Sequence, residues 1–176
     1  MAKQLLINRT KTAILSMDWQ KRQLSFFPKV FQNEIMARAN KVLAEARQEG
    51  IAVINVEVRR GEKTPEREIH PMMIPKPGEP LLTKSRTGPF STTKLDEILR
   101  SQGIDTLILI GLRTSGCILT TVRWAADIDY QLIVLSDCCA DQDDEVHRVL
   151  MEKVFPRQAI VATSQDFLRV LEESQY

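Results

Sequence analysis

The chain has 176 residues, 43% hydrophobic and 27% charged, with a formal net charge of +1. That is enough for one domain over residues 1–176, and too little net charge for a bulk electrostatic case for nucleic acid or a membrane surface. No apolar run approaches bilayer length, the N-terminal segment is too short in its apolar part for a signal peptide, and three cysteines, two of them adjacent, make no disulfide framework, so a reducing, cytoplasmic setting is expected.

Residues 12–17 form a short apolar strand candidate that ends at Asp18. A loop follows over residues 19–29, made partly apolar by Phe26, Phe27 and Pro28. Within residues 30–48, Ile35, Ala39, Val42, Leu43 and Ala46 keep helical spacing, and Gly50 is a good stop. The β-branched run 51–58 reads as a second strand. Residues 59–80 hold five of the eight prolines and two of the glycines. They read as a long surface loop and a candidate lid, since loops of that length are usually functional or mobile. Residues 80–84 make a short third strand. Ser91 or Thr92 caps a helix that runs to Arg100, with Gly103 beyond it.

The stretch 105–127 organises the rest. Leu107 to Ile110 is an apolar run bounded by turn formers, as expected of a strand buried on both faces. Gly111 ends it, and Thr114, Ser115 and Gly116 supply helix-starting chemistry. Ile118, Leu119, Val122, Ala125 and Ala126 then recur at helical spacing. Cys117 sits where strand hands over to helix. A thiol there feels the positive end of the helix dipole, which favours thiolate, and backbone N–H groups beside it can hold an oxyanion. Position alone leaves Cys117 open between a nucleophile and a small buried residue. Residues 130–135 are a fifth strand ending at Ser136 and Asp137, 143–155 a helix and 157–162 a last strand; Thr163 or Ser164 caps a final helix to Glu173.

Strands alternating with helices predict an α/β fold, three-layer and doubly wound around a mostly parallel, six-stranded, Rossmann-like sheet. Ligands of such sheets bind beyond the carboxyl ends of the strands, at the topological switch point. In the common strand order that point lies between strands one and four, which brings Asp18 and Cys117 to one crevice. Lys84 ends strand three, on the same edge but further out. The loop after it has to fold inward for the ammonium to reach.

Asp, Lys and Cys in this order, each at a strand end, resemble the cysteine hydrolases of the isochorismatase-like superfamily, which includes nicotinamidases and N-carbamoyl-amide hydrolases. The resemblance rests on residues 12–18, on Lys84-Ser-Arg-Thr-Gly-Pro-Phe90 leading to Leu95, on Gly111-Leu-Arg-Thr-Ser-Gly-Cys117, on Ala125-Ala-Asp127, on Tyr130 and on Val134-Leu-Ser-Asp137. It covers residues 10–165. Each motif alone is weak; their order and strand-end placement together are specific.

The resemblance implies that Cys117 attacks a carbonyl to form a thioester, Asp18 takes the thiol proton and later activates water, and Lys84 steadies both. It also implies a non-proline cis peptide at Leu112–Arg113, with the N–H groups of Arg113 and Cys117 as an oxyanion hole. Assembly as a homo-oligomer, dimer or larger, is a further implication. Trp19, Phe26, Phe90, Arg113 and Thr114 are candidate pocket residues. Nicotinamidases bind a metal through an Asp and His pair soon after strand two. Residues 51–60 contain no His, and the histidines are His70 and His147. No catalytic metal and no cofactor are therefore expected, and nicotinamide is disfavoured. The retained Cys favours a small amide-like substrate over vinyl-ether cleavage. Two further readings stand beside this one. They are a non-catalytic binder of a small molecule or partner, and a redox sensor pairing Cys117 with Cys138 or Cys139.

Overall fold

Thr12–Met17 (β1) and Thr106–Leu112 (β4) are buried at every position, and so they occupy the middle of the sheet. In the computed structural model, which describes residues 5–173, they are neighbours. Met1–Gln4, the start of the segment weighed as a signal peptide, lies outside the described residues. After β1 come a single turn α1 (Lys21–Leu24), the long α2 (Lys29–Gln48), β2 (Ala52–Val58), β3 (Leu81–Lys84) and α3 (Leu95–Ser101). After β4 come α4 (Leu119–Asp127), β5 (Gln131–Ala140), α5 (Asp144–Val149), β6 (Ile160–Ala162) and α6 (Ser164–Glu173). The six strands are parallel, in the order β3-β2-β1-β4-β5-β6. The chain is thus doubly wound, and its switch point falls between β1 and β4.

Alternation along the strands builds two cores. On one face Leu107 and Leu109 pack with Leu95, Leu99, Val122 and Phe155, beneath α3 and α4. On the other, Ile108 and Ile110 pack with Ile35, Ala39, Val42 and Phe167, beneath α2 and α6. Burying each large aliphatic side chain contributes about 1.5–3 kcal/mol. At Gly111, β4 lies close against β1. Its φ is 139°, and an added Cβ would lie 2.1 Å from the Met17 carbonyl oxygen. Only glycine fits there.

Several boundaries differ from the sequence expectation, each for a local reason. Leu24 is buried and pins the turn α1 inside the expected 19–29 loop. The helix expected from Ser91 or Thr92 begins at Leu95, because the Thr92 hydroxyl accepts the Ser85 N–H instead (3.2 Å) and Thr93 caps Leu95 (3.2 Å). β5 runs past Ser136 and Asp137 to Ala140. Its pairing with β4 jumps from Leu109–Val134 to Gly111–Cys139, so an irregularity absorbs the extra residues. The expected 143–155 helix is α5 followed by a π turn, Leu150–Val154. The last strand is only Ile160–Ala162, and Arg157 sits in a 3-10 turn before it. Thr163 and Asp166 cap α6 reciprocally: Thr163 Oγ1 accepts the Asp166 N–H at 3.1 Å, and Asp166 accepts the Thr163 N–H at 3.0 Å.

Candidate active site

Asp18 follows β1 in the left-handed region (φ 62°), which Asp tolerates better than most residues. Its N–H donates to the Val56 carbonyl of β2 at 2.9 Å, fixing the turn. Lys84 ends β3, two strands away, roughly 10 Å at the usual strand spacing. Lys84 is paired opposite Val58, and Met17 opposite Val56, so the strand ends are nearly level. The lysine side chain crosses the end of β2. Its Nζ donates to Asp18 Oδ2 at 2.6 Å, to Cys117 Sγ at 3.0 Å and to the Thr87 carbonyl at 2.6 Å. All three ammonium donors are used. The 85–90 loop folds inward to supply that carbonyl. Cys117 stands in a π turn, Thr114–Ile118, that leads from β4 into α4, and the Leu112–Arg113 peptide bond is cis.

The three groups are buried, with exposures of 1% for Lys84, 3% for Cys117 and 5% for Asp18. Burial raises the Asp18 carboxyl above its ordinary range, although Lys84 opposes this. Burial also pushes the Cys117 thiol up to about 12; the Asp18 carboxylate adds to the rise and Lys84 offsets part of it. The helix-end position alone favours thiolate, but here burial and the neighbouring carboxylate outweigh it. Burial by itself would lower Lys84; the charges of Cys117 and Asp18 more than compensate, and its ammonium is held firmly. The trio therefore sets one firmly held cation against two acids that burial raises. Asp18 Oδ1 is buried and has no hydrogen-bond partner, which leaves it a free lone pair.

The trio forms the floor of a cavity of about 370 Å³ at the carboxyl ends of the strands. Phe26, Val58 and Leu112 line its apolar part, and Arg113 reaches its rim. Trp19, Phe90 and Thr114 lie outside this lining. Trp19 is buried on the opposite face of the sheet with the α2 core, since it points away from its neighbour Asp18. Phe90 packs on Tyr130 in the other core, ring centroids 6.0 Å apart. Thr114 is buried, and its hydroxyl lies 2.7 Å from His147 Nδ1. His70 caps the short turn Pro71–Met73 and accepts the Met72 N–H at 3.2 Å. Cys138 and Cys139 are buried free thiols.

The sequence pattern of the isochorismatase domain matches residues 12–166. The chain belongs to the isochorismatase family. As a member of this family it is a hydrolase. Its isochorismatase-family relatives include the protein YwoC of Bacillus subtilis, 29% identical over 93% of this chain and 96% of that one. A maleamate amidohydrolase of Pseudomonas putida is 32% identical over 56% of this chain and 46% of its own length. A cysteine hydrolase from Pseudomonas syringae has a crystal structure that superimposes with a TM-score of 0.87 at 24% identity, covering 99% of this chain and all of its own. Among the described residues no group of three or more His, Cys, Asp or Glu side chains is placed to hold a metal ion. No helix there is long and apolar enough to cross a membrane.

Within this isochorismatase-family fold the sequence reading named Arg113 as a pocket residue but overlooked the cavity's other arginines. Arg60, Arg86 and Arg113 each stand one or two residues past the end of β2, β3 or β4, and Arg22 and Arg67 complete the set. The rule that ligands gather beyond strand ends pointed to the first three. The 59–80 loop is fastened where it crosses α1. The Gln20 side chain donates to Arg67 O in the loop and to Val58 O at the end of β2 (2.9 Å), and accepts the Val58 N–H at 2.9 Å. The Lys21 N–H bonds Glu68 O and the His70 N–H bonds Trp19 O, each at 2.9 Å.

Proposed function

We propose that this chain is a metal-independent cysteine hydrolase that cleaves a small amide through a thioester. The observation that carries the reading is the Lys84 ammonium, in contact with both Asp18 and Cys117 inside a closed floor. Asp18 takes the thiol proton as Sγ attacks the carbonyl carbon. The N–H groups of Arg113 and Cys117 receive the oxyanion. The proton on Asp18 then passes to the leaving nitrogen, the C–N bond breaks and the amine departs. Water attacks the thioester next. Asp18 accepts the water's proton and returns one to the thiolate as the acid leaves. Net charge in the floor is constant at each proton transfer, which a buried site favours. The amide specificity is supported by the Pseudomonas putida relative, whose name is maleamate amidohydrolase. The metal-independent part is supported by the donor set: β2 ends in Glu57 and Val58 and is followed by Arg59 and Arg60, without a histidine.

Release of ammonia or amine from a panel of small amides and carbamoyl compounds tests the reading. Wild type is expected to turn over at least one of them. Cys117→Ser, still folded by circular dichroism, is expected to turn over none. Undiminished turnover in that variant sinks the nucleophile.

A further inference from the structure

The arginines at the rim carry an inference about what enters the cavity. Five of its lining residues are arginines, Arg22, Arg60, Arg67, Arg86 and Arg113, and its lining carboxylate, Asp18, is occupied by Lys84. Of the nine arginines outside the cavity, six are paired with a carboxylate. Arg9, Arg47, Arg59, Arg100, Arg148 and Arg169 all form ion pairs with Asp or Glu. None of the five cavity arginines forms an ion pair with a carboxylate among the described residues, although the charge of Arg60 is felt by Asp18. Three of them are held by neutral acceptors instead. Arg60 Nη2 donates to Thr87 Oγ1 at 3.3 Å, Arg67 to the Arg60 and Glu62 carbonyls, and Arg113 to the Gln142 side-chain oxygen. The Arg113 guanidinium also lies 6.0 Å from the Phe26 ring centroid. Neutral acceptors fix the orientation of a guanidinium and leave its charge intact.

The whole chain has a net charge of only +1, so the concentration of cations at this cavity is local. Like charges around one low-dielectric cleft raise each other's energy, and an anion entering the cleft relieves that cost. The planar guanidinium fork matches carboxylate and phosphate oxygens in pairs. A volume of about 370 Å³ suits a small molecule and not a polymer. Five guanidiniums exceed what a single carboxylate can engage.

We propose that the substrate is a dianionic amide: its carbonyl meets Cys117 on the floor, and its far end carries two negative charges, as a carboxylate pair or a phosphate monoester, held by the rim arginines. This rests on the hydrolase reading for the position of the amide, but the anion site stands on its own geometry. Calorimetric titration of the Cys117→Ala protein separates the two, because binding needs no nucleophile. The probes are succinate, inorganic phosphate, acetate and neutral succinamide, at low and at physiological salt. Succinate and phosphate are expected to bind, and to weaken with salt. Succinamide and acetate are expected to bind at least about ten-fold more weakly, as fits loss of a charge-assisted pair. The double variant Arg60→Gln/Arg86→Gln is expected to lose about ten-fold or more in succinate affinity. Arg169→Gln, on the far side in α6, is expected to lose none. Succinate binding no tighter than succinamide or acetate, or unaffected by the double variant, overturns the proposal. In wild type, neutral amides turned over as well as dianionic ones would overturn it too, and would leave the cysteine hydrolase intact.

Discussion

Lys84 Nζ lies 2.6 Å from Asp18 Oδ2, and both side chains are almost wholly shut from solvent. Such a pair is costly to desolvate, and breaking it from one side strands a buried charge. The same ammonium touches Cys117 Sγ at 3.0 Å. The two acids therefore answer to one cation, and each substitution in the trio has a predictable effect on the others.

Asp18→Asn separates thiol ionisation from catalysis. The Asp18 carboxylate raises the Cys117 thiol, while Lys84 lowers it. With the carboxylate gone and the ammonium kept, thiolate forms at lower pH. Iodoacetamide alkylation of Cys117, followed by peptide mass spectrometry against pH, is expected to be faster near neutrality than in wild type. Amide turnover is expected to fall by about 10²–10⁴-fold, the usual share of a general base. Slower alkylation together with retained turnover would show that the proton does not go to Asp18.

Lys84→Met works in the opposite direction. The one charge that lowers the thiol is lost, so alkylation of Cys117 is expected to slow at every pH below 9, the ordinary value. Asp18 is left buried without the ammonium, at a cost of about 3–5 kcal/mol in the unfolding free energy measured by urea at neutral pH. A second substitution, Asp18→Asn in the Lys84→Met background, removes that stranded charge and is expected to recover part of the loss. Failure of the double variant to recover any stability would mean that Lys84 acts by packing alone.

Much of this arrangement is legible in the chain. Period and punctuation locate β1, β2 and β4, because their residues are apolar on both faces, and the alternation of elements gives the winding. Order alone brings Asp18 and Cys117 together at the switch point. Lys84 needs more, since its reach depends on the 85–90 loop turning its Thr87 carbonyl inward, a three-dimensional fact without a local signature. The side-chain directions of Trp19, Phe90 and Thr114 are hidden for the same reason. At a strand end one residue turns to the cavity and its neighbour to the core, and a run of letters does not say which. The boundary errors at α3 and β5 arise where a hydroxyl found a better partner or where two strands differ in length.

Gly111→Ala probes the close approach of β1 and β4 beneath the site. The new methyl group would sit 2.1 Å from Met17 O, and the backbone φ of 139° is one that L residues rarely adopt. The clash acts on β1, which leads to Asp18, and the backbone strain on β4, which leads to Cys117. The expected outcome is a loss of at least 1–3 kcal/mol, about the size of one strained backbone position, with the Lys84–Asp18–Cys117 contacts disturbed. Gly103→Ala is the control: its φ of 69° lies in the left-handed region that L residues do reach at a modest cost, and a Cβ there meets nothing within 4 Å. Equal losses at the two positions would show that backbone conformation alone, and not the packing against Met17, explains the effect.

Alkaline pH tests the buried thiols by linkage. Burial holds Cys117 and Cys138 up to about 12, and raises Cys139 well above the ordinary 9.0. Unfolded, these thiols ionise near 8.5. Below that pH both states keep their protons, and the thiols have no effect on the slope. Between it and the folded values the unfolded chain has lost protons that the folded chain still binds, so stability falls as pH rises. Each thiol contributes a slope of about 1.4 kcal/mol per pH unit in that window. Lys84 acts in the same direction at higher pH, since its folded state also holds a proton more tightly. Urea midpoints are expected to be flat between about pH 7 and 8 and to drop steeply from about pH 9 to 11, inside the window between the unfolded and folded thiol values. Cys138→Ala lies outside the Lys84–Asp18–Cys117 trio and removes one thiol. It is expected to make that drop shallower by about one third of the thiol part, with alkylation of Cys117 unchanged. A slope identical to wild type would mean that Cys138 ionises in the folded protein as easily as in the unfolded one, and that burial does not hold its proton.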